Sequence, residues 1–393
     1  MPNLDDDHPG TRIKEQRRLA RLTQQQLAER IPYSFSLLNQ VECGARHASD
    51  GFISAVATAL GVDPIVLTGP ATVTGLQQAR LDGLMRPIRE ALDLYDLAPE
   101  PERECRPLPA LTGEADRLCQ EVRATHLRKA AHDLPGVIAE LTTAAVTAPS
   151  TNTWRALASS YRTAHDIALK VGYPDLAIVA LDRMGWAAER ASDPCLAAIR
   201  QYKRALGHKT AEADLGRRLI QAGHDLLEGR TSREALAVAG QLHLGASAVA
   251  ARRGDQPAVR HHIAEARGLA RRLGGEAREV HWLSFGQLNV DLHEMGASVQ
   301  MRQFDTALKQ ARQVKLPPSV LTSRRARFLV DRAVVEMETG HTDAALKHLV
   351  DARRAAPEQT RYHPGTRDAI SGLLHTARRT PATLSHMAAW IGL

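Results

Sequence analysis

Apolar positions along this chain recur every three or four residues, the spacing of one helix face, and almost nowhere alternate as a half-buried strand demands. Ile13 and Leu19 mark a first helix from about Thr11 to Ala20. Thr23 is a good N-cap for a second, Gln24 to Arg30, with Leu27 and Ala28 turned inward. Ile31-Pro32-Tyr33 reads as a turn. Ser34 caps a third helix, Phe35 to Glu42, whose Leu38 and Val41 face a core and which Gly44 ends where a left-handed residue is needed. A fourth runs from about Asp50 to Leu60 with Phe52, Ile53, Val56 and Leu60 apolar. Asp63-Pro64 opens a short fifth, because proline at a first helical position lacks only an N–H that would be unpaired anyway.

Residues 68–75, TGPATVTG, predict a short linker. A helical pattern from Leu76 to Ala98 carries Leu81, Leu84, Met85, Ile88, Leu92 and Leu94, with Pro87 expected to kink or break it. The proline-rich stretch 99–109 predicts a surface loop, followed by helices from about Glu114 to Asp133 and Val137 to Ala148. From Thr151 a helix-turn-helix unit repeats about every 40 residues. The clearest copies are Trp154, Leu157, Ala158 and Tyr161, and Leu329, Ala333, Gly340, Ala345, Leu349, Ala352 and Pro357. Such units bury their apolar faces only against neighbours, which predicts a curved solenoid with a concave surface. Residues 366–393 would close it, with Leu373, Leu374, Met387 and Trp390 over the last repeat. The expected organisation is a disordered tail (1–9), a small helical domain (10–69), a linker and first helical segment (70–150) and a solenoid (151–393).

Composition agrees with an all-α chain. Aromatic residues are only 4% of the 393, while the hydrophobic 44% suffices for a sizeable core. The formal net charge of +7 suits a polyanionic partner without proving one. Cys43, Cys105, Cys119 and Cys195 show no CxxC pairing, so reduced thiols in a cytoplasm are expected rather than zinc or disulfides. No basic start followed by an apolar stretch predicts a signal peptide, and no apolar run is long enough to span a membrane. The 17 histidines are scattered; His261-His262 are adjacent, and His293-Glu294 lacks the second histidine of HExxH. Phosphate loops and nucleophile elbows are missing too. The expectation is therefore no enzyme, no metal and no cofactor. Arg252-Arg253, Arg271-Arg272 and Arg324-Arg325 read as exposed helix faces.

The first domain resembles the lambda-repressor-like, Xre-type helix-turn-helix family. The residues that carry this are Arg12-Ile13-Lys14 with Arg17, Leu22-Thr23-Gln24 with Leu27-Ala28, Ser34 to Gly44, and Val56-Ala57-Thr58-Ala59-Leu60-Gly61-Val62. Pro32 and Arg21 stand where that family usually has glycine. The resemblance implies a five-helix DNA-binding domain with the third helix in the major groove. Phe35, Ser36, Asn39 and Gln40 would meet base edges, the two amides pairing with adenine. Phe35 would touch a thymine methyl or a deoxyribose, or else lie half-buried between helices. Gln24, Arg18, Arg46 and His47 are phosphate-contact candidates, against a reading of both arginines as solvated charges. Arg17 and Glu42 correspond to a buried ion pair.

The repeats are similar to degenerate tetratricopeptide units, and the joint layout resembles the RRNPP-type regulators of quorum sensing, which bind signalling peptides. That resemblance implies a homodimer on a double-stranded DNA operator, with a peptide or small effector on the concave face, and residues 76–98 are the expected dimerisation element. Asn152, Arg155, Arg162 and Asn289 are the effector-binding candidates, set against the alternative of polar residues facing water. The rival class is a protein-interaction scaffold whose repeats dock a partner protein and whose DNA binding is secondary.

Overall fold

The computed structural model describes residues 9–46, 48–62, 64–68, 75–97, 105–207, 213–376 and 381–393. Among them the secondary structure is helical throughout, apart from one isolated antiparallel bridge between Ala277 and Phe285. The chain divides into two units, residues 1–79 with 370–393, and residues 80–369.

The first unit begins with α1 (Pro9–Leu19), so the expected tail already ends in helix at Pro9. Next come α2 (Gln24–Ala28), α3 (Phe35–Glu42), α4 (Asp50–Leu60) and α5 (Pro64–Thr68). Side-chain caps define three of these starts. Thr23 and Gln26 form a reciprocal capping box on α2, Ser34 accepts from the Leu37 N–H, and Ser49 accepts from the Phe52 N–H. Ile13, Leu27, Leu38, Val41, Phe52, Val56 and Leu67 form the sealed core, drawn from all five helices. Gly44 and Gly61 supply left-handed turns after α3 and α4, whereas the turn after α1 forces Arg21 to φ 56°. Residues 370–393, read from the sequence as a cap on the last repeat, group instead with this unit. They hold the end of α20 (Pro364–Thr376) and α21 (Ala382–Ile391), with Leu384, Met387 and Ile391 buried.

The second unit opens within α6 (Gly75–Asp93), which continues through Pro87. Interior proline costs about 3 kcal/mol, but the flanking Met85, Ile88 and Leu92 are all fully buried and hold the turn in place. Helix pairs follow: α7 (Leu108–Arg123) with α8 (Leu127–Thr147), α9 (Thr151–Val171) with α10 (Pro174–Arg190), and α11 (Pro194–Gly207) with α12 (Ala213–Asp225). Then come α13 (Arg233–Arg252) with α14 (Gln256–Leu273), α15 (Gln287–Gln300) with α16 (Phe304–Gln313), and α17 (Thr322–Glu338) with α18 (Thr342–Ala355). A short α19 (Pro357–Tyr362) completes it.

The first break differs from expectation. It falls at Thr125, whose φ is 71°, and α8 runs on through Pro135, held by buried Ala131, Leu134, Val137 and Ile138. The first helix of each pair packs on the first helix of the next, from α7 to α17, and the array curls until α17 touches α7 and α19 touches α9. These first helices therefore line the inside of a superhelical turn. Their small residues allow close packing: a Cβ added at Gly245 of α13 would lie 2.7 Å from the Tyr202 ring of α11.

Candidate functional site

In the first unit the geometry is set by one buried pair. Arg17 donates from Nε to Glu42 Oε1 and from Nη2 to Glu42 Oε2, both at 2.7 Å, and from Nη1 to the Leu22 carbonyl at 2.9 Å. Both residues are buried, and the hydrogen bonds to Glu42 raise the Arg17 pKa above its usual value. The fork locks α1 to the end of α3. Gln24 Nε2, at the start of α2, donates to Glu42 Oε2 at 2.8 Å and reaches Asn39 Oδ1 at 3.4 Å. One carboxylate thus fixes the relative orientation of all three helices.

With Leu38 and Val41 inward, α3 turns Phe35, Ser36 and Asn39 outward, with Gln40 half-buried beside them. Phe35 is 48% exposed, a large apolar surface to leave in water. Ser34 acts as the N-cap. Arg18 and Arg46 are exposed, and His47 lies outside the described residues. A short helix showing two amides, a hydroxyl and an aromatic ring on one convex face has the chemistry for reading base edges in a major groove.

In the second unit the candidates do not form one site. Asn152 and Arg155 line a cleft of about 940 Å³ together with His281 and Trp282. Arg155 Nε pairs with Asp193 at 2.7 Å. Arg162 is fully buried and donates to the His281 carbonyl at 2.5 Å. Asn289 is buried as well, donating to Gln241 Oε1 at 3.2 Å, and borders a separate cleft.

What organises this interior is a segment the sequence did not single out, residues 275–286 between α14 and α15. Its ends are tied by the Ala277–Phe285 bridge, and His281, Trp282 and Ser284 all adopt left-handed backbone angles, which non-glycine residues rarely take. Three arginines from three inner helices hold consecutive carbonyls: Arg162 on His281, Arg123 on Trp282 at 3.2 Å and Arg324 on Leu283 at 3.3 Å. His281 Nε2 also meets Glu234 Oε1 at 2.6 Å, and that hydrogen bond lowers the Glu234 pKa. Arg324 and Arg252 are half-buried and bonded to backbone carbonyls rather than displayed on exposed faces as expected; Arg253, Arg271 and Arg272 are exposed. No local signal marks these contacts, since each joins residues 41 to 159 positions apart.

Histidines the sequence scattered are gathered by the fold. His224, His243 and His262, from α12, α13 and α14, stack with ring centroids 4.5 and 5.5 Å apart. Burial, then the neighbouring imidazoles, push His243 down to about 3, and burial also lowers His224 and His262. Asp193, Cys195 and Glu234 bring one ligand atom each within 4.8 Å of one another. Both carboxylates there already face a cation or histidine, and burial pushes the Cys195 thiol up to about 12. No helix among the described residues is long and apolar enough to cross a membrane.

Comparison with known proteins finds that residues 10–67 match the model of a helix-turn-helix domain. No curated protein matches the chain. Among solved structures, the chain aligns with Bacillus thuringiensis PlcR, crystallised in complex with the peptide PapR7 and DNA. That alignment has 10% identity and a TM-score of 0.34, and covers 88% of this chain and 94% of that one.

Proposed function

We propose that this chain is a sequence-specific DNA-binding transcriptional regulator, and that its helical repeats bind an effector. The observation that carries the reading is the outward face of α3, with Phe35, Ser36, Asn39 and Gln40 on a helix clamped at its other end by the Arg17–Glu42–Gln24 network. In this reading Asn39 and Gln40 pair with base edges, Arg18, Arg46 and His47 hold phosphates, and Gln24 meets a phosphate with the N–H that it turns to Asn39 in the free protein. Two copies spaced about 34–36 Å along the duplex would read a two-fold operator. A dimer contact through residues 76–98 would use their exposed apolar residues, Leu94 and Leu97, rather than the inward stripe of α6. Leu81, Met85, Ile88 and Leu92 of that stripe are buried in the chain's own core, and the Leu92 carbonyl accepts from Arg183.

Selection of bound sequences from random DNA, followed by titration of the winner, tests this reading. Good bidentate base contacts contribute about 1–3 kcal/mol each, so Asn39→Ala with Gln40→Ala should reduce the preference for the selected site at least about 30-fold, with helicity intact. Equal selectivity in that double variant would refute the assignment of the reading face.

A further inference from the structure

Inside the superhelical turn a cavity of about 450 Å³ is lined by Arg123, Lys170, Lys203, Arg324 and Arg327, with Asp166 the one carboxylate on its wall among the described residues. These residues come from α7, α9, α11 and α17, so the fold converges on the cavity from four helices. Asp166 holds two of the cations, Arg123 at 2.9 Å and Lys203 at 2.5 Å. Arg327 lies toward solvent and pairs with Asp331 at 2.8 Å. Arg324 donates to the Leu283 carbonyl and Lys170 Nζ to Gln359 Oε1, both neutral acceptors.

The positive charge of the wall is therefore under-neutralised by the protein itself. Burial tends to raise the Asp166 pKa, yet Lys203 and Arg123 hold it well below the usual carboxylate range. Burial, then the charge of Arg123, push Lys170 down to about 7. A second observation points the same way. Ser284, 7% exposed and on the same wall, has a buried hydroxyl without a hydrogen-bond partner. Trp282 and Tyr362 border the cavity as well, giving a planar group something to lie against.

We propose that this cavity binds a small organic phosphate carrying two or more negative charges, with Arg324, Lys170 and Ser284 as its principal contacts. Guanidinium forks match phosphate oxygens two at a time, and a low-dielectric cleft lined by one sign of charge concentrates the opposite sign. The volume fits a drug-sized molecule. Three carbonyls of the 275–286 segment depend on arginines, two of which also face this cavity. An anion seated here would tighten the segment from inside the array. The inference rests on reading the repeats as the effector-binding half, but its test does not need DNA.

Calorimetric titration of the full chain with ADP, inorganic pyrophosphate and hexaglutamate, at fixed ionic strength, provides that test. ADP and pyrophosphate should bind and raise the melting temperature beyond what sulfate does. Lys170→Met and Arg324→Met should each weaken ADP binding about tenfold or more, and Arg324→Lys should retain part of it. Without ligand, Lys170→Met should melt no lower than wild type, because it removes a like charge from a crowded wall. The inference is overturned if ADP and pyrophosphate behave as sulfate does, if hexaglutamate binds and they do not, or if Lys170→Met binds ADP as tightly as wild type. Unchanged selectivity of the α3 double variant in the DNA experiment would leave these results unaffected, so the two readings fail separately.

Discussion

The helix-turn-helix unit and the helical-repeat unit handle buried charge in opposite ways. In the first, one arginine meets one glutamate in a fork, a third residue fills the remaining acceptor, and the account closes over 25 positions of sequence. In the second, arginines from α7, α9 and α17 hold backbone carbonyls of a single segment, and the cavity beside it keeps more cations than acids. A closed pair is a scaffold, because its geometry is complete without anything else. An open one suits the anion site proposed above, because its electrostatics would improve when an anion arrives.

The largest expected effect comes from breaking the closed pair. Glu42→Ala leaves the Arg17 guanidinium buried without its partner, which typically costs about 3–5 kcal/mol and approaches the whole stability of so small a domain. Hydrogen exchange should then lose protection over 9–68, while α7 to α18 stay protected. Wild-type protection across α1 to α3 in that variant would mean the fork does not organise the domain.

The contrast also explains what the sequence disclosed. The first unit was legible because its signals are local: the Thr23 and Ser34 caps, the inward Leu38 and Val41, and Gly44 at positive φ all lie within a short stretch and agree with one another. Helical repeats were legible from small and large residues at fixed spacings, as at Ala333, Ala345, Leu349 and Ala352, all fully buried. The interior was not. Residues 123, 166, 170, 203 and 324 meet only because the array curls by a full turn, and no periodicity encodes which arginine faces inward. Arg324 beside Arg325 looked like any solvated pair. Pro87 and Pro135 misled for a related reason, since local breaking tendencies were overruled by tertiary burial.

A smaller effect should separate the units by pH. Burial pushes His243, His293 and His363 of the repeat unit each down to about 3. Between that value and the ordinary 6.5 the unfolded chain binds protons that the folded one refuses. Stability is therefore fully present above about 6.5 and is lost as pH falls toward 3. Acidifying from pH 7 to 5 should lower the stability of the repeats by up to about 2 kcal/mol per histidine, less where solvent reaches the ring. The helices of residues 9–68 should be spared, since no histidine is among their described residues. Exchange protection followed separately over α1–α5 and α9–α18 checks this, and equal losses in both would break the contrast.

The smallest effect lies at the turn after α1. Arg21 sits at φ 56°, a conformation that costs an ordinary residue roughly 1–2 kcal/mol, and its side chain is exposed. Glycine relieves that cost but gives back part of the gain through the greater freedom of the unfolded chain. Arg21→Gly should therefore stabilise the helix-turn-helix unit by about 0.5–1 kcal/mol while removing one exposed cation. Chemical denaturation of residues 9–68, read by exchange in the full chain, measures the first consequence, and the salt dependence of DNA binding measures the second. A stability gain with an unchanged salt slope would place Arg21 away from the phosphates. If the slope falls by about one unit, Arg21 is a backbone contact held in a strained turn by its use on DNA.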